Sequence, residues 1–364
     1  MEAPGVKLAH QHFPIDITDT KNILKAIDGM KFDFIWSDQT DLAVKTFTEL
    51  SDQHNLPGNA LSTIPLFTIK SEMRKHCQKL HIPSPKWKLI SQVSELSQSR
   101  QELKGPLILK PVDSRSSRGI HKIENHQEIA PDILSESLAH SKQGQSILEE
   151  FVDGLEVTVE GLCINRNHHC LAFSTKKHFR LGIASDLAFP GSLSEDQLQT
   201  ITNYLSLYVE ASELGFGLTH AEFLVGKSSQ EIYLVEIAAR GGGSLCSSLI
   251  APWMSGIDPY QHVFEYALFD RTLPIPHSPK NRFAHLHFFE FQPGKVVQIS
   301  GIDEIKQMKN IAHIQLDIAK GDLINPASDD RSRHGFVIIL SEEASQIEET
   351  LKKVEKSLKI TVST

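Results

Sequence analysis

A stretch beyond the middle of the chain constrains the fold most, because it has the pattern of a hairpin that carries two acidic residues. Two largely apolar segments, Thr219–Val225 and Glu231–Ile237, flank a short polar turn, which is typical of two antiparallel strands. A hairpin centred on that turn places Glu222 directly opposite Glu236. The register of the hairpin therefore brings two carboxylates together.

Two carboxylates that face each other across a strand pair repel each other. At a wet surface this repulsion is tolerated, and a solvated pair is the alternative interpretation. The residues beside Glu222 and Glu236 are apolar, however, so the strands are expected to be half buried, and burial of uncompensated charge is unfavourable. Mg²⁺ binds one or two carboxylates together with substrate phosphates. The pair therefore favours a metal–phosphate site.

Composition excludes several classes of protein. The chain has 364 residues, a net charge of −8, 23% charged residues and 40% hydrophobic residues, which is ordinary for a globular protein of two or three domains. The acidic balance gives no support for binding to nucleic acid or to an anionic membrane. There is no run of about 18 apolar residues and no secretory signal pattern. The 4 cysteines form no CxxC pair, so we expect reduced thiols and a cytoplasmic protein.

Strand and helix patterns alternate along the chain. We predict strands at Phe32–Trp36 and Leu107–Lys110 and helices at Asp38–His54 and Ile69–Leu80, from apolar runs and helical spacing. Another helix is predicted to open at Ser194, where a capping box begins. This mixture predicts an α/β or α+β fold.

Two further segments suit the binding of a nucleotide. Lys110 ends a predicted strand and precedes the loop Asp113–Gly119, whose small residues flanked by arginines suit a cover over phosphate oxygens; a charged surface loop is the alternative. The segment Glu149–Glu156 follows another strand, and its backbone and carboxylates suit adenine and ribose. Neither a GxxxxGK[ST] loop nor GxGxxG is present, which disfavours an NAD-dependent enzyme.

Other groups of residues are candidates for catalysis or metal binding. Arg240 precedes three glycines and could hold a carboxylate or an acyl phosphate through two hydrogen bonds. Cys163 and Cys170, with the adjacent histidines, lack the spacing of a zinc site. The alternation of His285 and His287 is interpreted as one face of a strand rather than as a ligand pair.

Taken in order, these motifs resemble the ATP-grasp superfamily of carboxylate–amine ligases, over most of the chain from about Asp33 to Gly335. The segments that carry the resemblance are Ile69-Lys70-x-x-Met73-Arg74, Pro106–Pro111 with Ser116–Gly119, Glu149–Glu156, His220-x-Glu222 and Val235–Gly243.

The resemblance implies a role for each matching residue. For ATP, it implies that Lys70 and Lys110 contact the phosphates beneath a loop with Ser116 and Ser117, that Glu156 binds ribose, and that adenine lies against Glu149, Glu150, Phe151 and Val152. For the metal, it implies that Glu222 and Glu236 bind Mg²⁺ or Mn²⁺. For catalysis, it implies that Arg240 acts with Lys110, and that Lys176, or its neighbour Lys177, and Arg333 approach the substrate.

The same resemblance implies an architecture. We expect an α/β protein, α+β in its ATP-grasp part, with a partial Rossmann-like N-terminal domain at 1–82. An ATP-grasp domain at 83–276 would hold ATP between a lid subdomain, 83–150, and a central subdomain, 151–276, and an α/β subdomain would follow at 277–364.

Two departures from the family pattern matter. Ala238 stands where many members have an asparagine that binds metal, and the strand–helix–strand unit that usually begins the N-terminal domain is expected to be absent.

The resulting hypothesis is an ATP- and Mg²⁺-dependent ligase. It would activate a small carboxylate as an acyl phosphate and join it to an amine, with release of ADP and phosphate. A non-catalytic ATP-binding module and a bicarbonate-using carboxylase are the alternatives. We expect small-molecule substrates and no binding to nucleic acid or membrane. A homodimer is one possible oligomeric state. The sequence leaves the identities of the carboxylate and the amine open.

Overall fold

The computed structural model describes residues 4–114, 118–124, 129–277, 279 and 281–363. Within these ranges the chain forms eleven α-helices and fifteen strands. The helices are α1 Thr20–Ala26, α2 Asp41–Gln53, α3 Pro65–Thr68, α4 Lys70–Leu80, α5 Leu96–Glu102, α6 Pro131–Ala139, α7 Glu195–Ser212, α8 Ala251–Ser255, α9 Pro259–Phe269, α10 Ile302–Lys306 and α11 Ala344–Ser357. The strands are β1 Trp87–Ile90, β2 Leu107–Pro111, β3 His121–Ile123, β4 Ser146–Glu150, β5 Gly154–Ile164, β6 Asn167–Arg180, β7 Ile183–Phe189, β8 Phe216–Gly226, β9 Ile232–Ala238, β10 Phe283–Phe288, β11 Gly294–Ser300, β12 Ile311–Leu316, β13 Leu323–Ile324, β14 Gly335–Ser341 and β15 Lys359–Ser363.

The strands form three sheets. The small sheet has four strands in the order β1-β4-β2-β3, and the large sheet has eight in the order β12-β14-β10-β7-β6-β5-β8-β9. A third sheet joins β13, β11 and β15. The small and large sheets are antiparallel throughout, as expected where hairpins connect neighbouring strands.

The small and the large sheet pack over separate apolar cores. Leu107, Leu109 and Leu148 pack beneath the small sheet with residues of α5 and α6. One face of the large sheet packs against α7, where Ile201 and Leu205 are fully buried. Helix α7 begins at the predicted capping box, in which Ser194 accepts a hydrogen bond from the backbone of Gln197. These cores fix the two sheets whose edges form the cavity described below.

The hairpin predicted from the sequence is confirmed. Strands β8 and β9 are antiparallel neighbours, and Glu222 is the register partner of Glu236. The helices predicted around Asp38–His54 and Ile69–Leu80 are confirmed as α2 and α4. The domain boundaries expected from the resemblance stay a prediction.

The strand predicted at Phe32–Trp36 is wrong. The segment lies between α1 and α2, and no strand is assigned within residues 4–82. Its aromatic side chains pack instead of pairing in a sheet: the Phe34 ring lies 6.0 Å from that of Phe216, and the Trp36 ring lies 5.7 Å from that of Tyr260. Burial of aromatic surface against the large sheet explains the apolar run.

Among the residues described above, no helix has the length and apolar character needed to cross a membrane.

Candidate active site

A cavity of about 710 Å³ lies between the small and the large sheet. Lys177, the alternative to Lys176, does not line this cavity. The other predicted site residues that the structure describes all line it: Lys70, Lys110, Glu149, Glu150, Phe151, Val152, Glu156, Lys176, Glu222, Glu236, Arg240 and Arg333. Ser116 and Ser117 lie outside the described residues. Segments far apart in sequence therefore meet at one cavity, although their individual roles stay predictions.

Two lysines lie at the end of the cavity near α4. Lys70 is the first residue of α4, and its Nζ donates to the carbonyl oxygen of Ser114 at 2.8 Å and lies 3.4 Å from Oε2 of Glu236. The Nζ of Lys110, on β2, lies 2.5 Å from Oε2 of Glu149. Two buried ammonium groups therefore face the cavity from different elements.

Arg74 is fully buried behind this end of the cavity, where it contacts two residues that line it, Glu149 and Val235. The sequence motifs assign it no role. Its Nε donates to Oε1 of Glu149 at 2.6 Å, and its Nη2 donates to the carbonyl oxygen of Val235 at 2.8 Å. Burial alone would raise the pKa of Glu149, but Arg74 and Lys110 hold it below its usual value. The Glu149 carboxylate, expected at adenine, is directed at two cations. The sequence does indicate that Arg74 lies on the same face of α4 as Lys70, because residues four positions apart are neighbours on a helix.

The segment after β4 lines the cavity beside Lys110. The backbone N–H of Glu150 donates to the carbonyl oxygen of Lys86, and that of Phe151 donates to the carbonyl oxygen of Pro106, both at 2.9 Å. The Nζ of Lys122 lies 4.6 Å above the Phe151 ring. These bonds anchor the segment to the residues that immediately precede β1 and β2, so it forms a fixed wall of the cavity.

Lys176 lies at the centre of an ionic cluster on the large sheet. Its Nζ contacts Oε1 of Glu156 and lies 2.8 Å from Oε1 of Glu222, while Nε2 of His178 lies 3.0 Å from Oε2 of Glu156. Burial would lower the pKa of Lys176 and raise those of the two carboxyl groups, but their mutual attraction reverses both effects. With Lys70 near Glu236, each predicted metal carboxylate faces an ammonium group.

His220 adds a charged pair that was not assigned from the sequence. Its Nδ1 lies 2.7 Å from Oε1 of Glu160, and the other carboxylate oxygen accepts from the backbone N–H of Gly242 at 2.8 Å. Burial opposes protonation of His220, but Glu160 raises the pKa to about 9. A Cβ on Gly242 would lie 2.1 Å from Glu160 Oε1. The lack of a side chain at Gly242 therefore leaves room for the carboxylate of Glu160.

Arg240 is held by a residue from the N-terminal part of the chain. Its Nε and Nη2 donate to the two carboxylate oxygens of Asp41 at 2.9 and 3.1 Å. Asp38 accepts from the backbone N–H of Gly241 at 2.6 Å and from the hydroxyl of Tyr260 at 2.7 Å. These contacts join the start of α2 to the cavity and fix the direction of Arg240.

Arg333 lies at the other end of the cavity. Its guanidinium carbon is 3.4 Å from the centre of the Phe288 ring, and its Nη1 lies 2.9 Å from Oδ1 of Asp330. Burial lowers its pKa, and Asp330 opposes that effect. Leu187 and Leu286 form the apolar wall nearby. A cation beside an apolar wall suits a small organic acid.

The zinc site disfavoured from the sequence around Cys163 is not formed by the described residues. The Sγ of Cys163 donates to the carbonyl oxygen of Leu214 at 3.2 Å, whereas His168 bonds the hydroxyl of Thr219 at 2.8 Å. Cys170 lies 3.9 Å from His168, and all four cysteines are free thiols.

Comparison with family models defines the class of protein. Residues 103–249 match the ATP-grasp domain, and residues 287–363 match the L-amino acid ligase C-terminal domain 2. The chain therefore contains an ATP-grasp domain. Its C-terminal part is of the type found in L-amino acid ligases.

Individual relatives agree with this class. Formate-dependent phosphoribosylglycinamide formyltransferase from Prochlorococcus marinus is 27% identical over 285 residues, which cover 76% of this chain and 68% of that protein. The enzyme of the same name from Aliivibrio fischeri is 23% identical over 259 residues, covering 70% of this chain and 65% of that protein. The chain thus spans about two thirds of the length of these relatives.

Solved structures share the fold. L-amino acid ligase from Bacillus licheniformis superposes with a TM-score of 0.80 at 22% identity, covering 95% of this chain and 84% of that one. Phosphoribosylglycinamide synthetase from Anaerococcus prevotii gives a TM-score of 0.75 at 16% identity, covering 99% and 90%. The mixed α/β fold expected from the sequence is confirmed.

Proposed function

We propose that the protein is an ATP-dependent ligase that activates a small-molecule carboxylate as an acyl phosphate and joins it to an amine. The observation that supports this most is the convergence of four cationic side chains and two paired carboxylates on one cavity. The cations are Lys70, Lys110, Lys176 and Arg240. The relatives that match the chain include a formate-dependent phosphoribosylglycinamide formyltransferase, an L-amino acid ligase and a phosphoribosylglycinamide synthetase.

The donor set at β8 and β9 fits Mg²⁺. Glu222 and Glu236 are register partners whose carboxylates face the cavity, and hard oxygen ligands are those that Mg²⁺ prefers. Ala238, the register partner of His220, offers no third side-chain ligand. When bound, the ion would neutralise charge on the transferred phosphoryl group. Lys70 and Lys176, which now neutralise these carboxylates, would then be available to phosphate oxygens.

The side chains around the cavity divide the remaining work. Lys110, fixed by Glu149, supplies positive charge from the floor of the cavity, and such fixed charge stabilises phosphoryl transfer. Arg240, held in a bidentate pair with Asp41, presents a planar guanidinium to the carboxylate that accepts the phosphoryl group. An amine then attacks the acyl phosphate carbon, an amide bond forms, and phosphate leaves.

The proposal is tested by the formation of ADP from ATP and Mg²⁺. The purified chain is given pooled amino acids, formate and other small carboxylates, with and without pooled amines. Formation of ADP that requires the pool, together with an amide product found by mass spectrometry, supports the ligase. Absence of ADP from a folded chain that binds ATP would overturn it, whereas ADP that requires only bicarbonate would indicate the carboxylase.

A matched pair of variants controls the assay. Glu236→Gln removes a predicted metal carboxylate, and Glu231→Gln makes the same change in the exposed turn of the same hairpin. We expect Glu236→Gln to abolish ADP formation and Glu231→Gln to retain it. Equal activity of the two variants would exclude a metal role for Glu236.

A further inference from the structure

Two histidines and an aspartate meet on the face of the large sheet that is turned away from the cavity. Asp186 lies on β7, and His285 and His287 lie two residues apart on the adjacent strand β10. Because successive side chains of a strand point to opposite faces, these three residues lie behind Leu187 and Leu286, which line the cavity. The proposed ligase chemistry uses none of the three.

The ligand atoms of the cluster converge on one point. Nε2 of His285 lies 2.9 Å and Nδ1 of His287 lies 2.7 Å from the same oxygen, Oδ1 of Asp186. The three atoms all lie within 4.8 Å of one another. Each side chain keeps 15–18% of its surface exposed, so an ion can enter from solvent.

The surrounding structure holds the two imidazoles in place. His287 is the register partner of Asp186, and His285 is that of Ala188. The imidazole rings lie parallel with centres 6.5 Å apart, and the ring of His287 contacts the ring of Phe289 edge-on at 5.5 Å. Backbone pairing and ring packing therefore set the positions of the ligands before any ion binds.

Two imidazole nitrogens and one carboxylate oxygen form a donor set suited to Zn²⁺ and related divalent transition metals. Mg²⁺ prefers oxygen ligands, so the donor set discriminates against it. At zinc–ligand bonds of about 2.0–2.1 Å, tetrahedral ligands lie about 3.3 Å apart. A movement of the Asp186 carboxylate by about half an ångström would bring its distances to the two imidazole nitrogens to that value. The fourth position would face solvent and take water.

We propose that Asp186, His285 and His287 bind one divalent transition-metal ion, of which Zn²⁺ is the representative. The ion would link β7 to β10 behind the apolar wall of the cavity and so stabilise that wall. Lys177 is the register partner of Asp186 on β6, but it forms no ion pair with Asp186 among the described residues. Its flexible ammonium group can move into solvent when the ion binds.

The test measures zinc directly. The full chain is stripped with a chelator and dialysed against Zn²⁺ in a large excess of Mg²⁺, which occupies the carboxylates of the cavity. We expect one zinc per chain by mass spectrometry, and X-ray absorption should find nitrogen and oxygen neighbours at about 2.0–2.1 Å with imidazole scattering. Absence of retained zinc, or a shell without imidazole, would overturn the proposal without use of any variant.

Variants identify the ligands. His285→Gln and His287→Gln should each weaken zinc binding at least about 100-fold, because loss of an outer-shell partner alone costs about 10–100-fold. His10→Gln, an exposed histidine, should leave the affinity unchanged. Zinc binding that persists in the folded His285→Gln/His287→Gln double variant would assign the ion to another site.

The zinc test is independent of the proposed ligase. Glu236→Gln should lose ADP formation but keep the zinc. If that variant loses zinc as well, the ion belongs to the carboxylates of the cavity and the proposal fails.

Discussion

Nε of Arg74 lies 2.6 Å from Oε1 of Glu149, and both side chains are almost completely buried. Lys110 approaches the other carboxylate oxygen of Glu149 at 2.5 Å. Two cations therefore share one anion beneath the cavity. The group carries a net positive charge, which suits an anionic ligand above it.

The first prediction concerns the stability of this group. Removal of Arg74 leaves Glu149 with Lys110 as its remaining cation and breaks the bonds from Arg74 to Glu149 and to the carbonyl oxygen of Val235. A hydrogen bond to a charged group contributes about 1.5–3 kcal/mol. We therefore expect Arg74→Met to lower the free energy of unfolding by roughly that amount in urea titrations. Arg166→Met removes the exposed pair with Glu213 and should cost less than about 1 kcal/mol. Similar losses in the two variants would contradict a structural role for the buried pair.

The second prediction concerns the affinity for ATP. Lys110→Met removes the ammonium group that faces the cavity, and loss of a hydrogen bond to a charged group costs about 1.5–3 kcal/mol. The dissociation constant for ATP should rise about 10–100-fold in isothermal titration calorimetry. Lys352→Met, on the exposed face of α11, should bind ATP as the wild type does. Unchanged affinity of a folded Lys110→Met variant would remove Lys110 from the phosphate site.

Much of the local structure could be predicted from the sequence. The hairpin that pairs Glu222 with Glu236 follows from strand alternation and a short turn, and its register also contains a β-bulge. Phe223 pairs with Leu234, and a shift of one residue between Phe223 and Glu222 places Glu236 opposite Glu222. The start of α7 follows from the side chain of Ser194, whose bond to Gln197 spans three residues. In both cases the determining interaction lies within one element or one hairpin.

The contacts that organise the cavity could not be predicted in that way. Arg74 and Glu149 are 75 residues apart, and Asp41 and Arg240 are 199 apart. Periodicity describes one element at a time and contains no information on which distant elements meet. An arginine such as Arg74 within an amphipathic helix can be recognised in the sequence as unusual. The sequence does not identify Glu149 as the carboxylate that it contacts.

The histidines of β10 show the same limit. The alternation of His285 and His287 correctly indicated a common face of a strand. Asp186, which turns that face into a candidate metal site, lies 99 residues from His285 in the sequence. The alternation alone indicates only a strand face, because the third ligand comes from a neighbouring strand.

The third prediction separates catalysis from nucleotide binding. Arg240→Lys keeps the charge but loses the planar guanidinium, which pairs with Asp41 through Nε and Nη2 and would hold a carboxylate through its remaining N–H groups. We expect kcat to fall on the order of 100-fold or more, since fixed donors at a developing charge contribute that much. The dissociation constant for ATP should stay within about twofold of the wild-type value, because Arg240 is proposed to contact the acceptor carboxylate and not the nucleotide. A large change in ATP affinity with kcat preserved would move Arg240 from the acceptor to the nucleotide.

The last prediction concerns pH and a histidine outside the cavity. Burial, aided by the neighbouring His169, lowers the pKa of His168 from 6.5 to about 3. The folded chain therefore keeps this imidazole neutral, bonded to Thr219, whereas the unfolded chain protonates it below about pH 6.5. The stability contributed by the neutral form is complete above that pH and is lost progressively as the pH falls towards 3.

Between pH 7 and pH 5 this linkage corresponds to a loss of about 2 kcal/mol. His168→Gln cannot take up a proton, so its free energy of unfolding should fall by about that much less over the same interval. Urea titrations of the wild type and the variant at both pH values measure the difference, and the contributions of all other groups cancel between them. His10→Gln, an exposed histidine, should follow the wild type. Parallel pH profiles for the wild type and His168→Gln would contradict the lowered pKa of His168, because unfolding leaves its proton count unchanged only if its pKa is the same in the folded and unfolded chain.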